Sequence, residues 1–261
     1  IVDQVDRPGS EGSFVSVQDM DRGNFETHPW NIGGGGAAEL KERIESAGEV
    51  RLISLINSIG PGCIMGEDDA FMFPRRQMNL RNTPNRLLVE GEVVRDWAIE
   101  PEFAAVFPYD RRIGLVDESV LATELWPLRT VLWARLDFSK KTYRECKRPY
   151  WEYHQIPVER NISPLSIAFA EVATHNHFVL DRGGKVFKQT APVIKLPPTA
   201  TEDDHLALLG LLNSSTASFW ERQVFYPKGG FGDGKWEERL QRDGTKLGSF
   251  PIPDNASPVR P

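Results

Sequence analysis

The pattern of hydrophobic and polar positions changes near residue 51. Residues 1–27 are polar and rich in Gly, Asp and Ser, a composition typical of a linker or an edge strand. Residues 37–48 (AAELKERIESAG) contain helix formers throughout and end in glycine, so the sequence predicts a helix there. From Arg51 onward, short apolar runs such as LISLI and FAAVFPY are separated by Gly and Pro. Each run is short enough to be a strand or half of a buried helix.

Two longer segments predict helices. Residues 119–136 have a helical pattern, with Ser119 as the N-cap and Pro127 marking a break or a kink. Residues 204–225 form the most apolar helix candidate, and the spacing of their leucines suits a helix that is buried against a sheet.

Strands are predicted mainly in the second half of the chain. HFVLD (177–181) predicts a strand, and VFKQTAPVIKL (186–196) predicts a pair of strands. The segment WEERLQRDGTKLGSFPIP (236–253) predicts a polar helix that is closed by a short strand. The sequence therefore predicts a mixed α/β (α+β) fold, with twisted mixed or antiparallel sheets flanked by helices.

Composition sets the class of protein. A chain of 29.5 kDa with 40% hydrophobic residues can build a core. The sequence has no apolar stretch of transmembrane length, and it has two cysteines, which is too few for a disulfide framework. It begins with Ile1 and shows no leader pattern, so an excised fragment or a processed product is expected. We expect a soluble protein of the cytoplasm that does not bind membranes.

The charge is distributed unevenly. The formal net charge of −6 argues against indiscriminate binding to nucleic acid. Residues 75–86 nevertheless carry four arginines and no acid, residues 135–148 carry six basic and two acidic residues, and residues 182–195 carry four basic residues and no acid. These segments sum to +12 and leave −18 on the other residues. Either each of the three segments is an ordinary solvent-exposed face, or together they form one basic surface that binds an anionic ligand.

Aromatic and basic residues interleave at 143–154, and this pattern suits nucleic acid as well as ordinary core packing. Basic side chains can neutralise phosphates, while flat aromatic rings stack or wedge against bases. Residues 75–82 add arginine and asparagine, which read guanine and adenine edges in the major groove through paired hydrogen bonds.

Catalytic motifs are missing from the sequence. His175 and His177 would share one face of a strand and could ligate a metal with His154 or His205, or they could simply be hydrogen-bonded at a strand start. There is no Gly-x-Ser-x-Gly nucleophile motif. There is also no glycine-rich loop after a first strand to hold S-adenosylmethionine, and no Asn/Asp-Pro-Pro-Tyr/Phe tetrapeptide to grip a flipped adenine. Methyl transfer therefore cannot take place within this chain.

Six segments carry a resemblance to a known family: HPWNIGGGGAAELKERI (28–44), LLVEGEVVRDW (87–97), VFPYD (106–110), YWEYHQ (150–155), ATHNHFVLDRGGKVF (173–187) and LLGLLNSSTASFW (208–220). Over residues 28–253 the chain resembles the C-terminal half of the PglX-like adenine-specific methyltransferases of Pgl/BREX phage-defence systems, which are similar to type IIG restriction-modification methylases. The final GTKLGSFPIP is similar to the closure of recognition domains in type I specificity subunits.

The resemblance implies a target-recognition domain that faces an N-terminal methyltransferase domain across double-stranded DNA. That other domain, absent from this chain, would bind S-adenosylmethionine and methylate N6 of a flipped adenine, and this chain itself would hold no cofactor and no metal. We expect residues 1–27 to be a linker or edge segment, residues 28–253 to form the recognition domain, and residues 254–261 to be a tail. Other defence-system proteins are further candidate partners.

Specific residues are predicted to contact DNA on this hypothesis. The predicted phosphate contacts are Lys140, Lys141, Arg144, Arg148, Lys185 and Lys188. The predicted base readers are Arg75, Arg76, Asn79, Arg81 and Asn82. Tyr150, Trp151 and His154 are predicted to hold the DNA-facing surface, either by packing or by stacking. Two alternatives remain: a module that docks a partner defence protein through its aromatic residues, and a metal-dependent hydrolase that uses His175 and His177.

Overall fold

A computed structural model describes residues 7–13, 15, 17, 19, 22–26, 36–228 and 239–253. The helices in this part of the chain are α1 (Ala37–Ser46), α2 (Leu52–Leu55), α3 (Asp68–Phe71), α4 (Ala122–Leu125), α5 (Arg129–Ala134), α6 (Val158–Asn161), α7 (Glu202–Leu212), α8 (Ser215–Val224) and α9 (Gly244–Gly248). Short 3-10 helices span Arg22–Phe25, Arg75–Leu80, Gly91–Val93, Glu118–Val120 and Trp126–Leu128.

The strands are short and numerous, as the short apolar runs predict. They are β1 (Val50–Arg51), β2 (Ser58–Gly60), β3 (Met72–Pro74), β4 (Asn85–Val89), β5 (Val94–Arg95), β6 (Ala98–Ile99), β7 (Phe103–Val106), β8 (Ser166–Phe169), β9 (Val172–Ala173), β10 (Phe178–Asp181), β11 (Lys185–Phe187), β12 (Val193–Lys195), β13 (Tyr226–Pro227), β14 (Leu240–Gln241) and β15 (Pro251–Ile252). The mixed α/β fold class is confirmed.

Two four-stranded sheets organise the fold. The first has the order β10-β8-β12-β2 and is antiparallel throughout. The second has the order β11-β4-β7-β3, and its β11–β4 pair is parallel while its other pairs are antiparallel. Smaller sheets join β5 to β6, β13 to β14 and β9, and β1 to β15. The β1–β15 pair places Val50 opposite Ile252, so early and late segments of the chain lie side by side.

Each large sheet has its own hydrophobic core, and a smaller cluster joins them. The first core packs residues of β8, β10 and β12 against α7 and α8, with Trp220 fully buried. The second packs residues of β3, β4 and β7 against α4, α5 and the aromatic segment that contains Tyr150 and Tyr153. Val89 of the second sheet and Val193 of the first belong to the joining cluster. Apolar contact therefore holds the two large sheets against each other.

The predicted helix at 204–225 is two helices, α7 and α8. The side chain of Asn213 accepts a hydrogen bond from the Phe178 backbone N–H at 3.0 Å and donates one to the Phe178 carbonyl at 2.9 Å. Ser214 then caps α8 by accepting a bond from the Ala217 N–H. Because Asn213 bonds to β10 instead of continuing the helix, the chain turns there.

Two other local predictions are corrected by hydrogen bonding. The N-cap of the 119–136 region is Asp117, whose carboxylate accepts the Ser119 backbone N–H at 2.9 Å. The predicted break at Pro127 is confirmed, since a 3-10 turn separates α4 from α5 there.

The strand pair predicted at 186–196 consists of β11 and β12, but each pairs within a different sheet. The polar stretch between them crosses from one sheet to the other.

A buried ion pair attaches the last described segment to α8. The Arg242 Nε donates to the Glu221 Oε2 at 2.8 Å, and a second guanidinium N–H donates to the Ala173 carbonyl at 3.2 Å. The Glu221 Oε1 is buried and has no hydrogen-bond partner among the residues that the structure describes. Burial raises the pKa of the Glu221 carboxyl to about 7, although the Arg242 charge opposes that shift.

Candidate nucleic-acid interface

A basic cleft lies where the two large sheets meet. Its volume is about 410 Å³, and its walls come from β4 and β11 of one sheet, from β8, β10 and β12 of the other, and from α6. Its charged lining consists of Arg86, Arg111, Arg160, Arg182, Lys185, Lys195 and one acid, Asp181. The fold thus gathers cations from two of the three basic segments, 75–86 and 182–195, into one concave site.

Lys195 is the most deeply buried cation of the cleft, with 3% of its surface exposed. Its ammonium group donates to the Ser163 carbonyl at 2.7 Å and to the Leu165 carbonyl at 3.0 Å. Burial lowers its pKa to about 8, and the Asp181 charge opposes the shift. An ammonium group has three N–H donors, and within the described part of the chain two of those of Lys195 have acceptors.

The acids near the cleft neutralise two of its cations. Asp181 pairs with Lys185 and also accepts the Gly183 backbone N–H at 3.0 Å. Glu202 pairs with Arg182 at 2.5 Å. Among the described residues, Arg86 and Arg111 have no carboxylate partner. The positive charge that remains is therefore concentrated on the side of the cleft formed by β4, residue 111 and β12.

Two arginines of the cleft are held by contacts with the fold. The Arg86 guanidinium lies over the Phe107 ring at 3.8 Å from its centroid, and burial lowers its pKa. Arg160 donates to the Pro61 carbonyl at 3.0 Å. Gly60 adopts a φ of 140°, and a Cβ there would lie 3.0 Å from the Arg160 guanidinium. A glycine at this position therefore leaves room for the arginine.

Residues 75–82 lie mostly on the surface, on a 3-10 helix and the turn after it. Arg75, Arg76, Asn79 and Asn82 are exposed, so their side chains can reach a ligand. Arg81 differs from them, because its guanidinium pairs with Glu124, bonds Gln77 and covers the Phe73 ring. Arg81 therefore already has a structural role in the fold, and all five residues stay predicted base readers.

The third basic segment, 135–148, divides into structural and exposed cations. Arg135 is buried and donates to the carbonyls of Leu132, Met65, Tyr150 and Glu152, which ties α5 to the aromatic segment. Arg148 pairs with Glu152 at 3.0 Å and covers the Tyr143 ring, so it has a structural role in the fold, and its phosphate contact stays a prediction. Lys140, Lys141 and Arg144 are exposed and stay predicted phosphate contacts.

The lysines of 182–195 are less available than the sequence suggests. Lys188 pairs with Glu90 at 2.8 Å and with Asp68 at 2.9 Å, so two carboxylates already neutralise its charge, and its phosphate contact stays a prediction. Lys185 lines the cleft but pairs with Asp181. No local pattern in the sequence shows that Lys188 is paired, because Glu90 and Asp68 lie far from it along the chain, whereas Asp181 lies only four residues before Lys185.

The aromatic residues of 143–154 are mainly part of the core. Tyr150 is fully buried and donates its hydroxyl to Glu118, so stacking on a base is ruled out and the packing alternative holds. The half-buried Trp151 donates its indole N–H to the Val116 carbonyl at 3.1 Å. His154 packs against Phe138 with ring centroids 4.3 Å apart. Burial and the charges of Arg148 and Arg135 lower the pKa of His154.

The histidines do not gather at one point. His175 and His177 lie in a loop, with ring centroids 6.1 Å apart, rather than on a strand. His205 is buried in α7 and bonds to the Thr201 carbonyl. Within the described ranges, no group of three His, Cys, Asp or Glu side chains could hold a metal ion. No helix in the same ranges is long and apolar enough to cross a membrane.

One known protein is similar to almost the whole chain. The adenine-specific methyltransferase PglX of Streptomyces coelicolor is 45% identical to it over 269 residues, which cover 97% of the chain. The resemblance to PglX is confirmed. The chain spans 22% of the length of PglX, so most of PglX has no counterpart in it. No family model matches the sequence.

The fold is also similar to part of a solved restriction-modification enzyme. The type IIL enzyme MmeI, determined in complex with DNA, superposes with a TM-score of 0.50 over 78% of this chain and 25% of MmeI. Sequence identity is 14%, so this likeness concerns the fold alone. The chain therefore resembles PglX in sequence and part of a restriction-modification enzyme in fold.

Proposed function

We propose that this chain is a sequence-specific recognition domain for double-stranded DNA, belonging to an adenine-N6 DNA methyltransferase of a phage-defence or restriction-modification system. The similarity to part of PglX supports the link to an adenine-specific methyltransferase. In this proposal the S-adenosylmethionine site and the methyl-transfer chemistry lie in a separate methyltransferase domain, and the protein acts on DNA in the cytoplasm.

The basic cleft is the observation that carries the proposal. A chain with a net charge of −6 concentrates six cations and one acid around a single concave site. Phosphates of the DNA backbone suit such a site, because arginine binds their oxygens through paired hydrogen bonds and lysine adds a compact charge. Phosphate contacts would fix the position of the domain on the duplex without reading its sequence.

Base reading is assigned to exposed side chains outside the cleft. Arg75, Arg76, Asn79 and Asn82 project from a short 3-10 helix and its following turn, both of which rest on the second sheet. Arginine and asparagine distinguish guanine and adenine in the major groove. A rigid sheet below a short polar segment suits this role, since the sheet positions side chains that can differ between related proteins.

A protein-docking module is the second candidate function. The helical region α4–α5 exposes Trp126, Leu128 and Val131, and neighbouring exposed apolar side chains are typical of a protein interface. Such a face would suit contact with another defence protein or with the methyltransferase domain. This alternative requires no DNA binding by the chain.

Salt titration of DNA affinity tests the proposal. We expect the full chain to bind duplex DNA with a logarithmic affinity that falls steeply with the logarithm of salt concentration, by roughly 0.9 for each neutralised phosphate. Reversing the charges of Lys140, Lys141 and Arg144 to glutamate should weaken binding to every duplex. Affinity that is negligible in low salt, or independent of salt, would exclude DNA recognition and favour docking.

A further inference from the structure

A short hairpin after α5 carries an exposed phenylalanine at its tip. Leu136 and Thr142 form an antiparallel bridge, and the Asp137 backbone N–H donates to the Lys141 carbonyl at 2.8 Å. Residues 138–140 are the turn of this hairpin. Phe138 is 74% exposed and Leu136 is 58% exposed, although burial of either apolar side chain would be favourable.

The hairpin is held in shape by its own polar groups. The Asp137 carboxylate accepts bonds from the Ser139 backbone N–H at 2.7 Å and from the Ser139 hydroxyl at 2.6 Å, and the Cys146 thiol donates to its other oxygen at 3.2 Å. These bonds lower the pKa of Asp137 to about 2. Lys140 has a φ of 62°, a backbone conformation that is uncommon for a residue with a side chain. Hydrogen bonds within the hairpin therefore define the conformation of this turn.

The exposed ring is supported from below. Phe138 contacts the His154 ring edge-on, and the Tyr143 hydroxyl lies 3.3 Å from the His154 Nδ1. Tyr143 is fully buried under the guanidinium groups of Arg135 and Arg148, which lie 4.2 and 4.3 Å from its ring centroid. A packed column of side chains thus connects the tip to the second core and limits the motion of Phe138.

The charge around the tip is complementary to nucleic acid. Lys140, Lys141, Arg144 and Lys147 are exposed on the hairpin and on the turn that follows it. The Asp137 and Glu145 carboxylates accept hydrogen bonds from neighbours within the same segment. An apolar ring at the tip of a basic loop suits a double-stranded nucleic acid, in which cations contact phosphates while an apolar wedge enters a base step.

We propose that Phe138 is a wedge that inserts at a base step of duplex DNA and opens the stacking there, with Leu136 widening the apolar tip. The inference rests on the proposed function and adds a residue that deforms the duplex to the residues that contact phosphates and bases. Opening a base step costs a few kcal/mol, which the additional contacts of the bent duplex offset. The nearby lysines contact the phosphate backbone of the DNA and in this way position the Phe138 ring at the base step.

Fluorescence of 2-aminopurine in place of adenine tests the wedge. Duplexes of mixed sequence carrying 2-aminopurine should become brighter when the full chain binds, since the probe fluoresces when unstacked. The Phe138→Ala variant should lose this signal and bind at least about fivefold more weakly, because base–aromatic stacking contributes roughly 1–3 kcal/mol. Its salt dependence should equal that of the wild type, as no charge is removed. Phe138→Trp should retain the signal.

Control variants distinguish a failure of the wedge proposal from a failure of DNA binding as a whole. Leu206→Ala removes exposed apolar surface from α7 and should leave both the signal and the affinity unchanged. A Phe138→Ala variant that binds DNA and brightens the probe like the wild type would overturn the wedge while leaving DNA recognition intact. Weaker binding with an unchanged probe signal would also overturn it. Wild-type protein that binds no duplex would overturn the proposed function as well.

Discussion

Arg111 offers the sharpest test of the basic cleft. Its side chain is exposed, lines the cleft and has no ion-pair or hydrogen-bond partner among the described residues. The Arg111→Gln variant should therefore fold normally, with the free energy of unfolding changed by no more than about 0.5 kcal/mol. Arg112 is also exposed but does not line the cleft, so Arg112→Gln is a matched control with the same loss of charge.

The expected effect on DNA binding follows from the lost phosphate contact. A hydrogen bond to a charged group contributes roughly 1.5–3 kcal/mol, so Arg111→Gln should weaken DNA affinity about tenfold or more in low salt. The slope of logarithmic affinity against logarithmic salt should become shallower by about 0.9. Fluorescence anisotropy with a labelled duplex measures both quantities. Equal effects of Arg111→Gln and Arg112→Gln, or an unchanged slope for Arg111→Gln, would refute the cleft as a phosphate site.

Two further predictions concern buried ionisable groups. Lys195 has a pKa of about 8 and loses its charge above that pH, so DNA affinity at constant ionic strength should fall by up to about tenfold between pH 7 and pH 9. The Lys195→Met variant should not show this pH dependence. A variant whose affinity depends on pH as strongly as that of the wild type would contradict a role of Lys195 in DNA binding. Glu221, with a pKa raised to about 7, should stabilise the fold below about pH 4.5 and lose that contribution as pH rises through 7, by roughly 3 kcal/mol in total. Urea unfolding of Glu221→Gln should show a flatter pH profile, and a profile like that of the wild type would count against the assignment.

Local sequence patterns predicted elements better than their pairing. The strand at HFVLD and the break at Pro127 depend on neighbouring residues and are confirmed. The separation of β11 and β12 into different sheets depends on distant partners, β4 for β11 and β2 for β12, and no local pattern carries that information. The turn at Asn213 depends likewise on its bonds to β10.

The basic segments predicted where cations lie along the chain but not which of them are free. Arg81 and Lys188 belong to acid-free segments, yet Glu124, Glu90 and Asp68 neutralise them in the fold. Arg111 and Arg160 lie outside the three basic segments, and only folding brings them to the cleft. Whether a basic side chain is free to bind an anion depends on the tertiary structure, because burial and partners distant in the sequence decide it.

The pairing of β1 with β15 has a consequence for protein engineering. Val50 lies opposite Ile252, and Gly48 packs so tightly on this pair that a Cβ would lie 2.1 Å from the Ile252 carbonyl oxygen. The entry and exit of the segment from 50 to 252 are therefore adjacent, as in units that tolerate insertion into another chain. We therefore expect this segment to tolerate exchange between related chains when both junctions are placed at the β1–β15 pair.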